Sequence, residues 1–167
     1  MSGGEIRAAS PCDVILLASM QAACFAPVPG ADETGGAYVG EPWSARAWAE
    51  VLAMPGSFAL IAALPSQPIG FLLAQVLVDE AEVLSLGVLP SHRRAGHGRR
   101  LLQTAMDLAT ERGVGRFLLE VAEINHSAHT FYASNGFARI GRRTAYYRDQ
   151  TGAAIDALIL AKPLAGA

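Results

Sequence analysis

The residues best suited to chemistry lie between Leu84 and Leu102, in Leu-Ser-Leu-Gly-Val-Leu-Pro-Ser-His-Arg-Arg-Ala-Gly-His-Gly-Arg-Arg-Leu-Leu. A short apolar strand runs to Leu89, Pro90 stops it, and Arg93-Arg94-Ala95-Gly96-His97-Gly98 leads into an amphipathic helix. The first amides of a helix have no intrahelical acceptor, and they sit at the positive end of the helix dipole. With arginines on both sides, that terminus suits a phosphate-bearing ligand, and Gly96 and Gly98 let such a ligand approach the main chain. A P-loop is excluded, because Gly98 is followed by Arg99-Arg100 rather than Lys-Ser/Thr. A dinucleotide fingerprint remains as a second reading. It lacks its third glycine, at Leu101, and starts beyond a Pro-Ser-His-Arg-Arg spacer, yet Glu120 stands at about the distance of a ribose-binding acid.

Other reactive side chains are scattered along the chain. Glu120 interrupts the apolar run Phe-Leu-Leu-Glu-Val and reads either as a general base or as a solvated strand-end acid. His126 and His129 share a helical face, but no third ligand or His-Glu-x-x-His context accompanies them, so no metal site is expected. Cys12 and Cys24 flank one predicted helix and would stand about 18 Å apart along it, too far for a disulfide. They are expected as reduced thiols outside the reactive region.

These residues must be positioned by a chain of 167 residues that is 51% hydrophobic, enough for one domain with a substantial core. A net charge of −2 argues against general nucleic-acid binding, since the arginines cluster locally instead of forming a basic face. The opening residues carry no charged-then-apolar leader, and no apolar run approaches membrane-spanning length, so a cytoplasmic protein is expected.

The pattern predicts a strand at Ile6–Ala9, then a helix capped by Ser10-Pro11 and running to Cys24. A Pro- and Gly-rich loop follows to Pro42. Trp43-Ser44 with Trp48 reads as a hydrophobic staple opening a second helix, with core packing favoured over substrate stacking for the tryptophans. Apolar runs at Ser57–Ala63, Ile69–Val78 and Ala81–Leu89 predict an antiparallel meander, in which Gly87 signals a bulge or a close approach. Asp79, Glu80 and Glu82 read as a solvated turn. The long helix stops at Gly113, a strand follows at Arg116–Val121, and Asn125 opens a short helix that ends at Asn135-Gly136. Strands at Phe137–Arg143 and Ile155–Leu160 close an α/β (α+β) domain. Its sheet should be mixed and mostly antiparallel, of six or seven strands with helices on both faces, and parallel only where the long helix crosses over.

Several motifs resemble those of the GNAT acetyltransferases, and within them the RimI branch of ribosomal-protein alanine N-acetyltransferases. They are Arg93-x-x-Gly96-x-Gly98-Arg99, Val88-x-Pro90, Leu119-Glu120-Val121, Asn125, Tyr132-x-x-x-Gly136-Phe137, Arg142-Arg143 with Tyr146-Tyr147, and Asp156-Ala157. The resemblance implies an acetyl-CoA-dependent N-acetyltransferase with no metal and no covalent enzyme intermediate. It implies that Leu86, Gly87 and Val88 hold the pantetheine, the Val88 amide polarising the thioester. The main chain from Arg94 through Ala95, Gly96, His97 and Gly98 to Arg99, introduced by Arg93, would cradle the pyrophosphate, with the His97 ring a bystander. Asn125 would contact the pantetheine or simply cap its helix. Glu120 would be the base and Tyr132 the acid toward the departing thiolate. The implied acceptor is a protein N-terminus, with a small amine or a lysine as alternatives, a non-catalytic acyl-CoA-binding module as the reading from another class, and a monomer or homodimer as the assembly. Pro27 to Glu41 departs from the family as an insertion beside the acceptor groove.

Overall fold

The computed structural model describes residues 4–26, 41–65, 67–149 and 151–164, so residues 27–40 of the expected insertion lie outside the described part. The chain begins with β1 (Glu5–Ala8), a 3-10 turn (Pro11–Asp13), α1 (Val14–Phe25) and α2 (Ala45–Leu52). The meander β2 (Ser57–Leu64), β3 (Gln67–Leu77) and β4 (Glu80–Val88) follows. A second 3-10 turn (Pro90–His92), α3 (His97–Glu111), β5 (Arg116–Ala122), α4 (His126–Ser134), β6 (Ala138–Arg148) and β7 (Ala154–Pro163) complete it. The described strands form one seven-stranded sheet in the order β1-β2-β3-β4-β5-β7-β6. Every neighbouring pair is antiparallel except β4 and β5. A parallel pair cannot be joined by a tight turn, and α3 supplies the crossover.

The meander strands read as continuous apolar runs because both sheet faces are covered. Leu60, Ala62, Leu72 and Ala74 point to the side of α3, where Leu101, Leu102, Ala105 and Ala109 are buried. The alternating partners Ala59, Ile61, Phe71 and Leu73 point the other way, onto Leu17, Met20 and Cys24 of α1 and Trp48 of α2. Local signals fix the helix starts. Ser10 and Asp13 form a reciprocal capping box, and Arg7 pairs with Asp13 at 2.7 Å. The Arg7 hydrogen bonds, with further bonds from Ser10, hold the Asp13 carboxyl well below the usual range. The Ser44 hydroxyl accepts from the Ala47 amide at 3.2 Å, and Trp43 stacks 5.5 Å from the fully buried Trp48, the predicted staple.

Of the two readings of Gly87 in β4, the close approach holds and the bulge lies elsewhere. The register steps from Leu73 opposite Ser85 to Ala74 opposite Val83, so the extra residue of the bulge is Leu84 and not Gly87. Gly87 instead answers to packing. A Cβ there would lie 2.7 Å from Phe71 Cε1, 3.0 Å from Cys24 Cβ and 3.1 Å from Cys24 Sγ. Since Phe71 is fully buried, the ring has nowhere to retreat. Gly87→Ala is therefore expected to destabilise the fold by about 1–3 kcal/mol, the usual range for overpacking. Chemical denaturation checks this; an unchanged midpoint would mean that α1 shifts freely on the sheet.

Candidate active site

The site begins where β4 and β5 part. Their parallel register runs from Glu80 with Arg116 to Val83 with Leu119 and then stops at the Leu84 bulge. Beyond it, alternation decides which backbone groups of β4 face the gap. The Leu89 amide donates to the Ile69 carbonyl at 2.9 Å, so Gly87 and Ser85, two and four residues earlier, also turn their backbone toward β3. Leu86 and Val88 accordingly present theirs to the open edge, where an extended ligand can complete them.

Helix α1 secures both ends of this open stretch. At one end the buried Gln21 amide donates from Nε2 to Ser85 Oγ at 3.2 Å, while its Oε1 accepts from the Trp43 amide at 2.8 Å and Trp48 Nε1 at 3.2 Å. At the other end Arg93 donates to the Cys24 carbonyl at 2.5 Å and, through Nε, to the Val88 carbonyl at 3.1 Å. The Arg93 side chain is thus a clamp between α1 and β4.

The loop after it is shaped by two left-handed residues, Arg94 at φ 64° and Gly96 at φ 85°. Gly96 is the N-cap of α3 and no side chain caps that end. The first helical bond runs from the Arg100 amide to the Gly96 carbonyl, leaving the His97, Gly98 and Arg99 amides without a helical acceptor. Arg99 leans onto α4, donating to Asn135 Oδ1 at 3.2 Å and the Ser134 carbonyl at 3.3 Å.

Between this loop, the open edge of β4 and α4 lies a cavity of about 590 Å³. Of the residues predicted to touch the cofactor, all line it except Ala95, which the left-handed turn carries off the wall. Asn125 caps α4 as expected, accepting from the Ala128 amide at 3.1 Å, and it also lines the cavity. Sequence reasoning missed Ser127, Phe131 and Ser134, which line the cavity from one face of α4; their spacing of four and three residues was the available signal.

A smaller cavity of about 160 Å³ adjoins the first, sharing Phe25, Leu86, Asn125, Ala128 and Tyr132 with it and adding Glu120 and Tyr147. Tyr132 therefore stands on the common wall. It is 8% exposed, and burial pushes its phenol well above the ordinary range, so the hydroxyl keeps its proton. Glu120 is not the solvated strand-end acid of the alternative reading, its side chain being 14% exposed. Arg143 of β6 reaches across β7 to pair with it, Nε to Oε1 at 2.6 Å. The Tyr146 phenol is raised chiefly by the charge of Glu120, to which it also hydrogen-bonds. Glu82, expected in a solvated turn, is a half-buried residue of β4; burial and then the charge of Glu120 raise its carboxyl, against the lowering effect of Arg143. Glu80 does sit at the turn, bonded to Arg116. His129 is half-buried, its Nε2 3.1 Å from the Ala122 carbonyl, and no group of three potential metal-ligating side chains occurs among the described residues.

Cys24 corrects another expectation. It lines the larger cavity instead of lying outside it, because the end of α1 packs against Gly87. Burial pushes its thiol up to about 11, only partly offset by the charge of Arg93, so at neutral pH it is a poor nucleophile.

A model of the Acetyltransferase (GNAT) family matches residues 25–137. The [ribosomal protein bS18]-alanine N-acetyltransferase of Escherichia coli K12 is 38% identical over 94 residues, which are 56% of this chain. The match spans 63% of that curated relative's length. The crystal structure of the ribosomal-protein-S18-alanine N-acetyltransferase from Escherichia coli superposes with a TM-score of 0.82 at 27% identity, covering 98% of this chain and 96% of the other. A Bacillus anthracis chain crystallised with acetyl coenzyme A gives a TM-score of 0.62 at 26% identity over 68% of this chain and 66% of its own. No described helix is long and apolar enough to cross a membrane.

The cysteines yield a direct check on the wall of the cavity. At pH 8 iodoacetamide should alkylate the exposed Cys12 and spare Cys24, whose modification should rise only as pH approaches 11. Mass spectrometry of the quenched digest reads both sites; equal labelling at pH 8 would contradict the buried, protonated thiol.

Proposed function

Because the chain belongs to the GNAT acetyltransferase family, we propose that it transfers the acetyl group of acetyl-CoA directly to an amine, and that its acceptor is the N-terminal α-amine of a protein. The carrying observation is that the two cavities meet at Tyr132, with the uncapped start of α3 on one side and Glu120 on the other. The larger cavity suits acetyl-CoA. Free amides of α3 and the positive end of its dipole face the pyrophosphate, and the Leu86 and Val88 edge of β4 accepts the amide-bearing pantetheine as an added strand. The acetyl-CoA complex of the Bacillus anthracis chain supports this choice of donor.

In the reaction the acceptor ammonium, seated against Glu120, loses a proton to that carboxylate, and the freed amine attacks the thioester carbon. The oxyanion that forms is stabilised by the Val88 amide; the C–S bond breaks, Tyr132 delivers its proton to the leaving sulfur, and the second proton shed by the acylated nitrogen returns the phenolate to its neutral form. The raised phenol of Tyr132 suits this task, since the group enters the reaction protonated. The protonated thiol of Cys24 favours direct transfer over an acetyl-cysteine route.

For the acceptor, an α-amine has a reference pKa near 7.7–8.0 against about 10.4 for lysine, so a carboxylate base deprotonates it at far lower cost. The relatives named for alanine N-acetylation of a ribosomal protein support the same choice, and a ribosomal acceptor would place the reaction in the cytoplasm.

A peptide panel tests the assignment. With acetyl-CoA, a basic peptide beginning with alanine should be acetylated at its α-amine, while its N-terminally blocked copy carrying a lysine and spermidine should react poorly. In the same assay Tyr132→Phe should lower kcat by about 10²-fold or more with little change in acetyl-CoA affinity. Acetylation of only the blocked peptide or spermidine would replace the assignment with a side-chain or small-amine enzyme, and a wild-type kcat in Tyr132→Phe would reduce that residue to packing.

A further inference from the structure

We propose that Arg143 is a built-in stand-in for the acceptor: in the free enzyme its guanidinium occupies the Glu120 carboxylate, and the ammonium of the incoming acceptor displaces it. The inference rests on the N-terminal acetyltransferase reading and adds a competition at its acceptor end.

The two partners are unequally placed. Glu120 is 14% exposed and fixed in the middle of the sheet, paired through β5 with Ile159 of β7, whereas Arg143 is 55% exposed on the edge strand. Separating them therefore returns a mostly hydrated guanidinium to water but strands a shielded carboxylate, unless another cation arrives. Glu82 sharpens that demand. It stands on the neighbouring strand, opposite Leu118, where the charge of Glu120 raises its carboxyl and that of Arg143 lowers it. Removing Arg143 leaves two close carboxylates, and an ammonium restores the balance with three donors on a compact charge.

The edge strand gives Arg143 a second partner. Between Arg143 opposite Ala157 and Tyr147 opposite Ile155 the edge strand β6 bulges away from β7. Asp156 holds the bulge, accepting from Arg142 Nε at 2.5 Å and from the Ala145 amide at 2.7 Å, with Ala145 in the left-handed region at φ 54°. The bulge follows Arg143 and carries Tyr146 close to both Arg143 and Glu120. The guanidinium lies 5.4 Å from the centre of the Tyr146 ring, which offers a second resting place through cation–π attraction. A guanidinium does not lose its proton in a protein, so Arg143 cannot be the base; its effect is to compete for the base.

Steady-state kinetics with the alanine-initiated basic peptide separate competition from positioning. Arg143→Gln and Arg143→Met should lower the KM for the peptide by about two- to fivefold, the range a partly exposed pair spans, and leave kcat within about twofold. Arg143→Lys, which keeps a competing cation, should stay near wild type. Inhibition by the N-acetylated peptide, which has no ammonium at that position, should be the same in all four proteins. An unchanged or raised KM in both charge-removing variants, or a kcat loss of tenfold or more that Arg143→Lys restores, would overturn the proposal and make Arg143 a residue that positions Glu120. If wild-type protein binds acetyl-CoA by calorimetry yet neither binds nor acetylates the peptide, the acceptor assignment itself fails and the competition falls with it.

Discussion

Everything distinctive about this molecule depends on the loss of pairing between β4 and β5 after Val83 and Leu119. A parallel pair that continued would bury the backbone of Leu86 and Val88 in the sheet and close the space that Tyr132 and Glu120 border. The Leu84 bulge turns β4 aside at that point, and α1 fixes the turned segment at both ends, through Gln21 on Ser85 and through the Cys24 carbonyl on Arg93. A buried amide with its donors and acceptors satisfied holds a strand in place more rigidly than apolar contact, since a lost partner costs on the order of 1–3 kcal/mol. The gap is therefore a fixed feature of the free protein and needs no ligand to open it.

The same gap sorts the chemistry spatially. Backbone groups dominate one side, with the uncapped start of α3 and the open edge of β4 suited to phosphate and amide recognition. Side chains dominate the other, where Glu120 lines the smaller cavity and Glu82, Arg143 and Tyr146 act on Glu120. Tyr132 lies between, kept neutral by burial. An arrangement with fixed dipoles toward the donor and titratable groups toward the acceptor matches what acyl transfer to an amine requires.

How much of this was legible in the sequence follows from how local each cause is. The α3 loop could be read because Arg93, Gly96 and Gly98 lie within six residues and the two glycines act through backbone geometry, whereas the clamp that the Arg93 side chain forms on α1 depends on tertiary docking. The meander and its single parallel junction followed from apolar runs and from the helix between them. The bulge could not be read, since Val83-Leu84-Ser85 contains no glycine or proline, and the glycine nearby reports a collision with Phe71 and Cys24 instead. Cys24 in the cavity wall depends on how α1 docks, a tertiary fact. The pairing of Arg143 with Glu120 joins residues on strands separated by β7, and β6 runs on to Arg148, past its expected end at Arg143, because Asp156 stabilises a bulge that a period-two pattern does not encode.

The central claim, that the start of α3 and the open edge of β4 form a preformed acetyl-CoA site, meets its most direct test in a calorimetric titration of wild type and Gly98→Val. Outside its own helix turn, a Cβ at Gly98 would come no closer than 3.5 Å, at the Phe131 ring, an ordinary contact, so the position has room for a side chain, which would stand in the wall proposed to face the pyrophosphate. The account predicts a loss of affinity of about 100-fold or more, the scale of a few charge-assisted hydrogen bonds, with little change in thermal stability. Wild-type affinity in a folded Gly98→Val protein would contradict it.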